Sequence, residues 1–175
     1  MLPVKLTDGV VLLTAFTLDD VETHLEGEDA EQVKWLSGGK STRESVENWI
    51  RRNQQWWDED GPVYNFAVRE AQSNELVGMV EANRDLQQID GLKAGDANIS
   101  YGLYPQHRGK GYVTKALVLL EQFLAHRGVQ RGVIRVEPEN AASIAVPQRL
   151  GYEAKGSIIA RDGTELLMFA KKLWS

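Results

Sequence analysis

The chain has 175 residues with a formal net charge of −5, 42% apolar and 26% charged side chains, which is enough to bury a sizeable core and too apolar for long disorder. It contains no cysteine, so disulfides, thiolate nucleophiles and Cys-ligated zinc are excluded. The acidic balance disfavours a nucleic-acid partner, no run approaches the ~20 apolar residues that cross a bilayer, and the start of the chain lacks a leader pattern, so the expectation is one cytoplasmic domain over residues 1–175 with no membrane contact.

Residues 10–16 form a short apolar, β-branched run after Asp8-Gly9 and read as the first strand. Thr17-Leu-Asp-Asp20 and Ser41-Thr-Arg-Glu44 have the capping-box form, and the second opens a helix over roughly residues 42–58. Asp60-Gly61-Pro62 stops that helix, and Tyr64, Phe66 and Val68 then alternate with polar residues as in a half-buried strand. A turn at residues 72–75 leads to a hairpin partner over 76–82, and the Gly-containing stretch 85–96 reads as a long exposed loop before a strand over 97–104. Val113, Ala116, Leu117, Leu120, Phe123 and Leu124 follow helical spacing and predict an amphipathic helix from Gly111 to about His126. A strand at 133–136, a short helix at 141–150 and a hairpin around Arg161-Asp-Gly163 complete the chain. The basic residues between Arg127 and Arg135 read as a solvated face.

The chemistry concentrates where a strand meets a helix through Gln106-His107-Arg108-Gly109-Lys110-Gly111. The first amides of a helix lack internal partners and sit at the positive end of its dipole, so they hold anions. Gly109 and Gly111 let backbone approach a phosphate, while Arg108 and Lys110 add charge. This segment resembles the Q/R-x-x-G-x-G/A signature of the GCN5-related N-acetyltransferases (GNAT). Val136-Glu-Pro-Glu-Asn140-Ala-Ala-Ser143 followed by Arg149-Leu-Gly-Tyr152 is similar to the same family's next motif, and the surrounding residues most resemble its branch of ribosomal-protein N-terminal acetyltransferases. Gly38-Gly-Lys-Ser-Thr42 is no nucleotide loop, because Lys34 stands where its first Gly belongs, and a dinucleotide fingerprint from Gly109 fails at Thr114.

The resemblance implies a mixed α/β fold with a splayed, mostly antiparallel central sheet flanked by helices. It also implies that acetyl-CoA, or another acyl-CoA, lies on the signature, with Gln106 and Tyr112 among the contacts and backbone at Leu103 and Tyr104 on the pantetheine arm. Asn140 then holds the arm or the acceptor, or serves only as a helix cap. Family members often carry a Tyr acid seven residues after that Asn, where this chain has Pro147, and a Glu where it has Asn98. Attention therefore moves to Ser143 for the leaving thiolate, and to Asn98 with a water, Glu81 or Glu137 for the amine proton. His24, His107 and His126 are scattered and read as surface residues, leaving no metal site, and Trp35, Trp49, Trp56 and Trp57 read as core or interface anchors. The expected activity is acyl transfer to a primary amine, either a protein N-terminus or a small amine such as an aminoglycoside-like compound, by a monomer or homodimer. A CoA-binding regulator without turnover is the alternative.

Overall fold

The computed structural model describes residues 4–29 and 40–173. Trp35 and the Gly38-Gly39 fragment lie outside the described residues. Strands β1 (Leu6–Thr7) and β2 (Val11–Thr14) precede helices α1 (Val21–Gly27) and α2 (Arg43–Glu59). Strands β3 (Val63–Glu70), β4 (Leu76–Asn83) and β5 (Asp96–Leu103) lead through helix α3 (Tyr112–His126) to β6 (Arg131–Val136). Helix α4 (Ala141–Arg149) and the hairpin β7 (Glu153–Ile159) and β8 (Glu165–Lys172) follow. One sheet contains all eight strands in the order β1-β2-β3-β4-β5-β6-β8-β7, and every adjacent pair is antiparallel except β5–β6. No described helix is long and apolar enough to cross a membrane.

The predicted elements form with shifted ends. The α2 cap is Thr42, whose Oγ1 accepts from the Ser45 N–H at 3.1 Å while Ser45 Oγ accepts from the Thr42 N–H at 2.9 Å. The box is therefore one residue later than Ser41–Glu44, because Ser41 is drawn to Glu28, which accepts from its N–H and hydroxyl at 2.7 Å each. Strand β3 is not half-buried as its alternation suggests: residues 63–68 are buried on both faces. Phe66 and Val68 pack with Leu117, Leu120 and Phe123 of α3, whereas Ala67 joins Val46 and Ile50 of α2 on the other face. A central strand covered twice loses the period-two signal. Trp57 is buried in the larger cluster, its Nε1 donating to the Asn65 carbonyl at 3.1 Å, and Trp49 packs at the edge of the smaller one.

Two further expectations change. The loop over residues 84–95 is exposed at Leu86 to Gln88, but Leu92 packs on Val133 and Met168, and Asp90 accepts from the Arg161 N–H at 2.9 Å. The loop is thus fastened to the C-terminal hairpin. Among the histidines only His126 is exposed; His107 is 5% exposed, and His24 is half-buried with Nδ1 2.7 Å from the Tyr104 hydroxyl.

Candidate active site

The parallel pairing of β5 with β6 covers only Asp96↔Arg131 to Asn98↔Val133. Beyond Asn98 the two strands part, and the gap between them is the floor of a cavity of about 560 Å³, a size suited to a small-molecule ligand. Register determines what faces the gap. The Tyr104 N–H donates to the Val77 carbonyl at 3.0 Å, making that a hydrogen-bonded pair across β4 and β5. Antiparallel pairs alternate, so Ile99, Tyr101 and Leu103 turn their N–H and C=O groups away from β4 and toward β6, and Tyr101 and Leu103, beyond the last β5–β6 pair, face the gap.

At one end of the gap the chain turns through a 3-10 segment, Pro105–His107, into α3. Gly111 is the α3 N-cap, and the first helical bond runs from the Lys115 N–H to the Gly111 carbonyl at 3.3 Å, leaving the Tyr112, Val113 and Thr114 amides outside the helical ladder. Gly109 and Gly111 both have φ 79°, and a Cβ at either would meet no atom within 4 Å. The conformation favours glycine, and the open space is where an anion fits. The Tyr112 hydroxyl donates to Glu70 at 2.7 Å, bracing the loop against β3; this bond and one from Ser73 hold the Glu70 carboxyl below its usual range.

Of the residues picked from sequence, Asn98, Leu103, Arg108, Gly109, Gly111, Tyr112, Asn140 and Ser143 line the cavity, as does Glu137. Tyr104, Gln106, Lys110 and Glu81 do not. Tyr104 is 1% exposed within the cluster that includes Phe16 and Val21, and Gln106 and Lys110 are exposed. Arg108 brings little free charge, because Asp29 accepts from both terminal nitrogens at 2.9 and 3.2 Å and the Leu103 carbonyl accepts from Nε at 3.1 Å. Asn140 caps α4 by accepting from the Ser143 N–H through Oδ1 at 3.3 Å, and its amide nitrogen has no partner among the described residues.

Pro147 has a consequence beyond the hydroxyl it lacks. It lies inside α4 and has no N–H for the Ser143 carbonyl one turn earlier. The Tyr101 hydroxyl crosses the gap and donates to that carbonyl at 2.7 Å, with burial pushing the phenol above its usual range. Sequence reading missed Tyr101; its signal is a Tyr on the strand before the signature paired with a Pro four residues after Ser143. The basic stretch is not a solvated face. Arg131 pairs with Asp96 at 2.7 Å, Arg127 with Asp60 at 3.0 Å, and Arg135 lines the cavity with its Nε donating to Asn98 Oδ1 at 3.0 Å.

Glu81 lies directly across from Ser100, which lines the cavity, and from Asn65, whose Nδ2 donates to it at 2.9 Å. Burial raises its carboxyl pKa from the ordinary 4.5, with the Asn65 bond opposing. A carboxyl raised on folding stabilises the native state while protonated, and that contribution is lost as pH rises from 4.5 through the folded value. Glu81→Gln should therefore be more stable than the unaltered protein at pH 7, with the difference vanishing toward pH 4. Urea midpoints measured across that range check the sign.

The chain matches the family model described as acetyltransferase (GNAT) domain over residues 11–153. It is 25% identical over 151 residues to mycothiol acetyltransferase of Kytococcus sedentarius, a match covering 86% of this chain and 48% of that protein, so the chain spans about half the length of this curated relative. Two solved structures share its fold at 20% identity. One is the Microcin C7 self immunity acetyltransferase in complex with acetyl-CoA and AMP, with a TM-score of 0.77 and 95% of this chain and 93% of that one covered. The other is the Salmonella typhimurium acetyl transferase that modifies the N-terminal serine of 50S ribosomal subunit protein L7/L12, with a TM-score of 0.75 and coverage of 93% and 95%. With the family model spanning most of its length, and with the glycine turn and splayed strands in place, the chain belongs to the acetyltransferase (GNAT) domain family.

Proposed function

We propose that residues 1–175 act as one domain transferring an acetyl or other short acyl group from acyl-CoA to a primary amine. The observation that carries this is the gap between β5 and β6, which leads from the helix N-terminus at Gly111 to the Asn98↔Val133 pair, with the polar backbone of Tyr101 and Leu103 facing it. The pyrophosphate would rest on the amides of Gly109 to Thr114. The amide-bearing arm would run along the β5 edge as an added strand does, with the Asn140 amide on its other side. A relative's fold bound to acetyl-CoA supports the same cosubstrate, and relatives acting on a protein N-terminus and on small molecules support an amine acceptor.

The amine nitrogen attacks the thioester carbon directly, forming C–N as C–S breaks, with no enzyme-bound intermediate. The Tyr101 amide, beyond the last β5–β6 pair, is placed to polarise the carbonyl. The amine's proton passes to a carboxylate: Glu137 lines the cavity, and Glu81 stands behind Ser100 with a pKa moved toward the working range of a general base. The departing thiolate takes a proton from Ser143 or from water.

Thiol release from acetyl-CoA with a panel of primary amines tests this reading. Asn98→Ala, Glu81→Gln and Ser143→Ala should each lower kcat about 10- to 100-fold, because positioning of two reactants supplies much of the acceleration. Asn140→Ala should also raise the KM for acetyl-CoA. Tight acetyl-CoA binding with no thiol release for any amine would instead identify a CoA-binding regulator.

A further inference from the structure

We infer that Arg135 binds an anionic group on the acceptor, so that the substrate class is an amine that also carries a carboxylate. This rests on the proposed acyl transfer and adds the acceptor's chemistry. Arg135 is a half-buried guanidinium between Ile134 and Val136 on β6, in the wall of the cavity. Its Nε donates to Asn98 Oδ1 at 3.0 Å and its Nη1 to the Asp90 carbonyl at 3.2 Å, both neutral acceptors. Nη2 has no partner among the described residues.

Three half-buried arginines are matched by carboxylates: Arg69 by Asp20 at 2.8 Å, Arg108 by Asp29 at 2.9 Å and Arg131 by Asp96 at 2.7 Å; Arg84, half-buried and without such a pair among the described residues, does not line the cavity. Arg135 forms no such pair among the described residues. Asp90 and Asp162 act on it electrostatically, but Asp90 is held by Arg161 at 2.8 Å, and Asp162 accepts from the Thr164 N–H at 2.9 Å. A shielded guanidinium without an anion is unfavourable, and its planar fork matches a carboxylate. The fold fixes the guanidinium through two nitrogens and leaves its remaining N–H groups for a ligand.

Position separates this cation from the cosubstrate's phosphates. Asn98 lies five residues before Leu103, about 17 Å along β5 at the usual rise per residue, and the turn proposed for the phosphates lies beyond Leu103. Arg135 is therefore at the end of the gap where the reacting carbonyl arrives. Glu137, the residue that follows β6 and two positions after Arg135, also lines the cavity. One cation and one anion lining the same cavity fit a molecule with both an ammonium and a carboxylate. A polycation lacking an acidic group would meet Arg135 unfavourably.

The test uses matched pairs in which only the acid differs: L-alanine and L-alaninamide, 4-aminobutyrate and 4-aminobutyramide, and glycylglycine and its amide. Binding to the CoA-saturated protein is measured by calorimetry, and thiol release from acetyl-CoA in parallel. At least one carboxylate member should bind about tenfold more tightly than its amide, the scale of one charge-assisted hydrogen bond. Arg135→Gln should erase that preference and Arg135→Lys retain part of it, with acetyl-CoA affinity kept within about twofold as the control for folding. Equal binding within every pair, or an equal loss for both members in Arg135→Gln, would overturn the assignment. A carboxylate preference in binding without thiol release would leave Arg135's role standing and remove the acyl-transfer reading.

Discussion

Replacing Gly111 by Trp is expected to abolish acetyl-CoA binding, a loss of at least about 100-fold, as in uncovering a phosphate held by several amides and charge-assisted bonds. Two effects act together. The position has φ 79°, a conformation that a bulky residue rarely adopts, and the indole would occupy space where a Cβ meets nothing within 4 Å. Gly111→Asn separates them, since Asn tolerates the left-handed region and is small. Asn should retain measurable binding and Trp none, by calorimetry on variants whose unfolding transitions are intact. Equal binding by Gly, Asn and Trp would place the phosphates elsewhere.

The largest stability effect is expected at Arg69→Met. Arg69 and Asp20 are 11% and 9% exposed as side chains, paired at 2.8 Å, with Arg69 Nε also donating to Thr14 Oγ1 at 3.0 Å. Asp20 in turn accepts from the Thr17 N–H at 2.9 Å, so this pair fastens the entry to α1 onto β3. Removing the cation leaves a shielded carboxylate unmatched, at a cost of about 3–5 kcal/mol. The double variant Asp20→Asn/Arg69→Met should recover part of this loss, because an amide needs no counter-charge. Urea unfolding of the two variants gives the comparison.

What the sequence disclosed follows from which signals are local. The glycine turn before α3, α3 itself and the α4 cap are written in contiguous residues: two glycines that need φ > 0, apolar positions at helical spacing, and Asn140 three residues before Ser143. The double burial of β3 and the path of the cavity depend on partners distant in sequence, so alternation along one strand could not disclose them. Arg135 illustrates the limit. Seen with Arg127 and Arg131 it belongs to a basic run, and only the parallel pairing of β6 with β5 brings it to Asn98. Its local signal was a charge inside an apolar strand. In the sequence Pro147 shows only the hydroxyl it lacks, whereas its structural effect, a carbonyl released to Tyr101, requires the fold to bring β5 and α4 together.

We propose that acyl-CoA lies in the gap between β5 and β6 with its reactive end beside Asn98. A crystal structure of the protein soaked with acetyl-CoA tests it most directly. Pyrophosphate oxygens are expected on the amides of Gly109 to Thr114, the arm paired with the backbone of Tyr101 or Leu103, and the acetyl carbonyl at the Asn98 end near Arg135. Acetyl-CoA bound outside this gap, or bound with its phosphates at the Asn98 end, would contradict it.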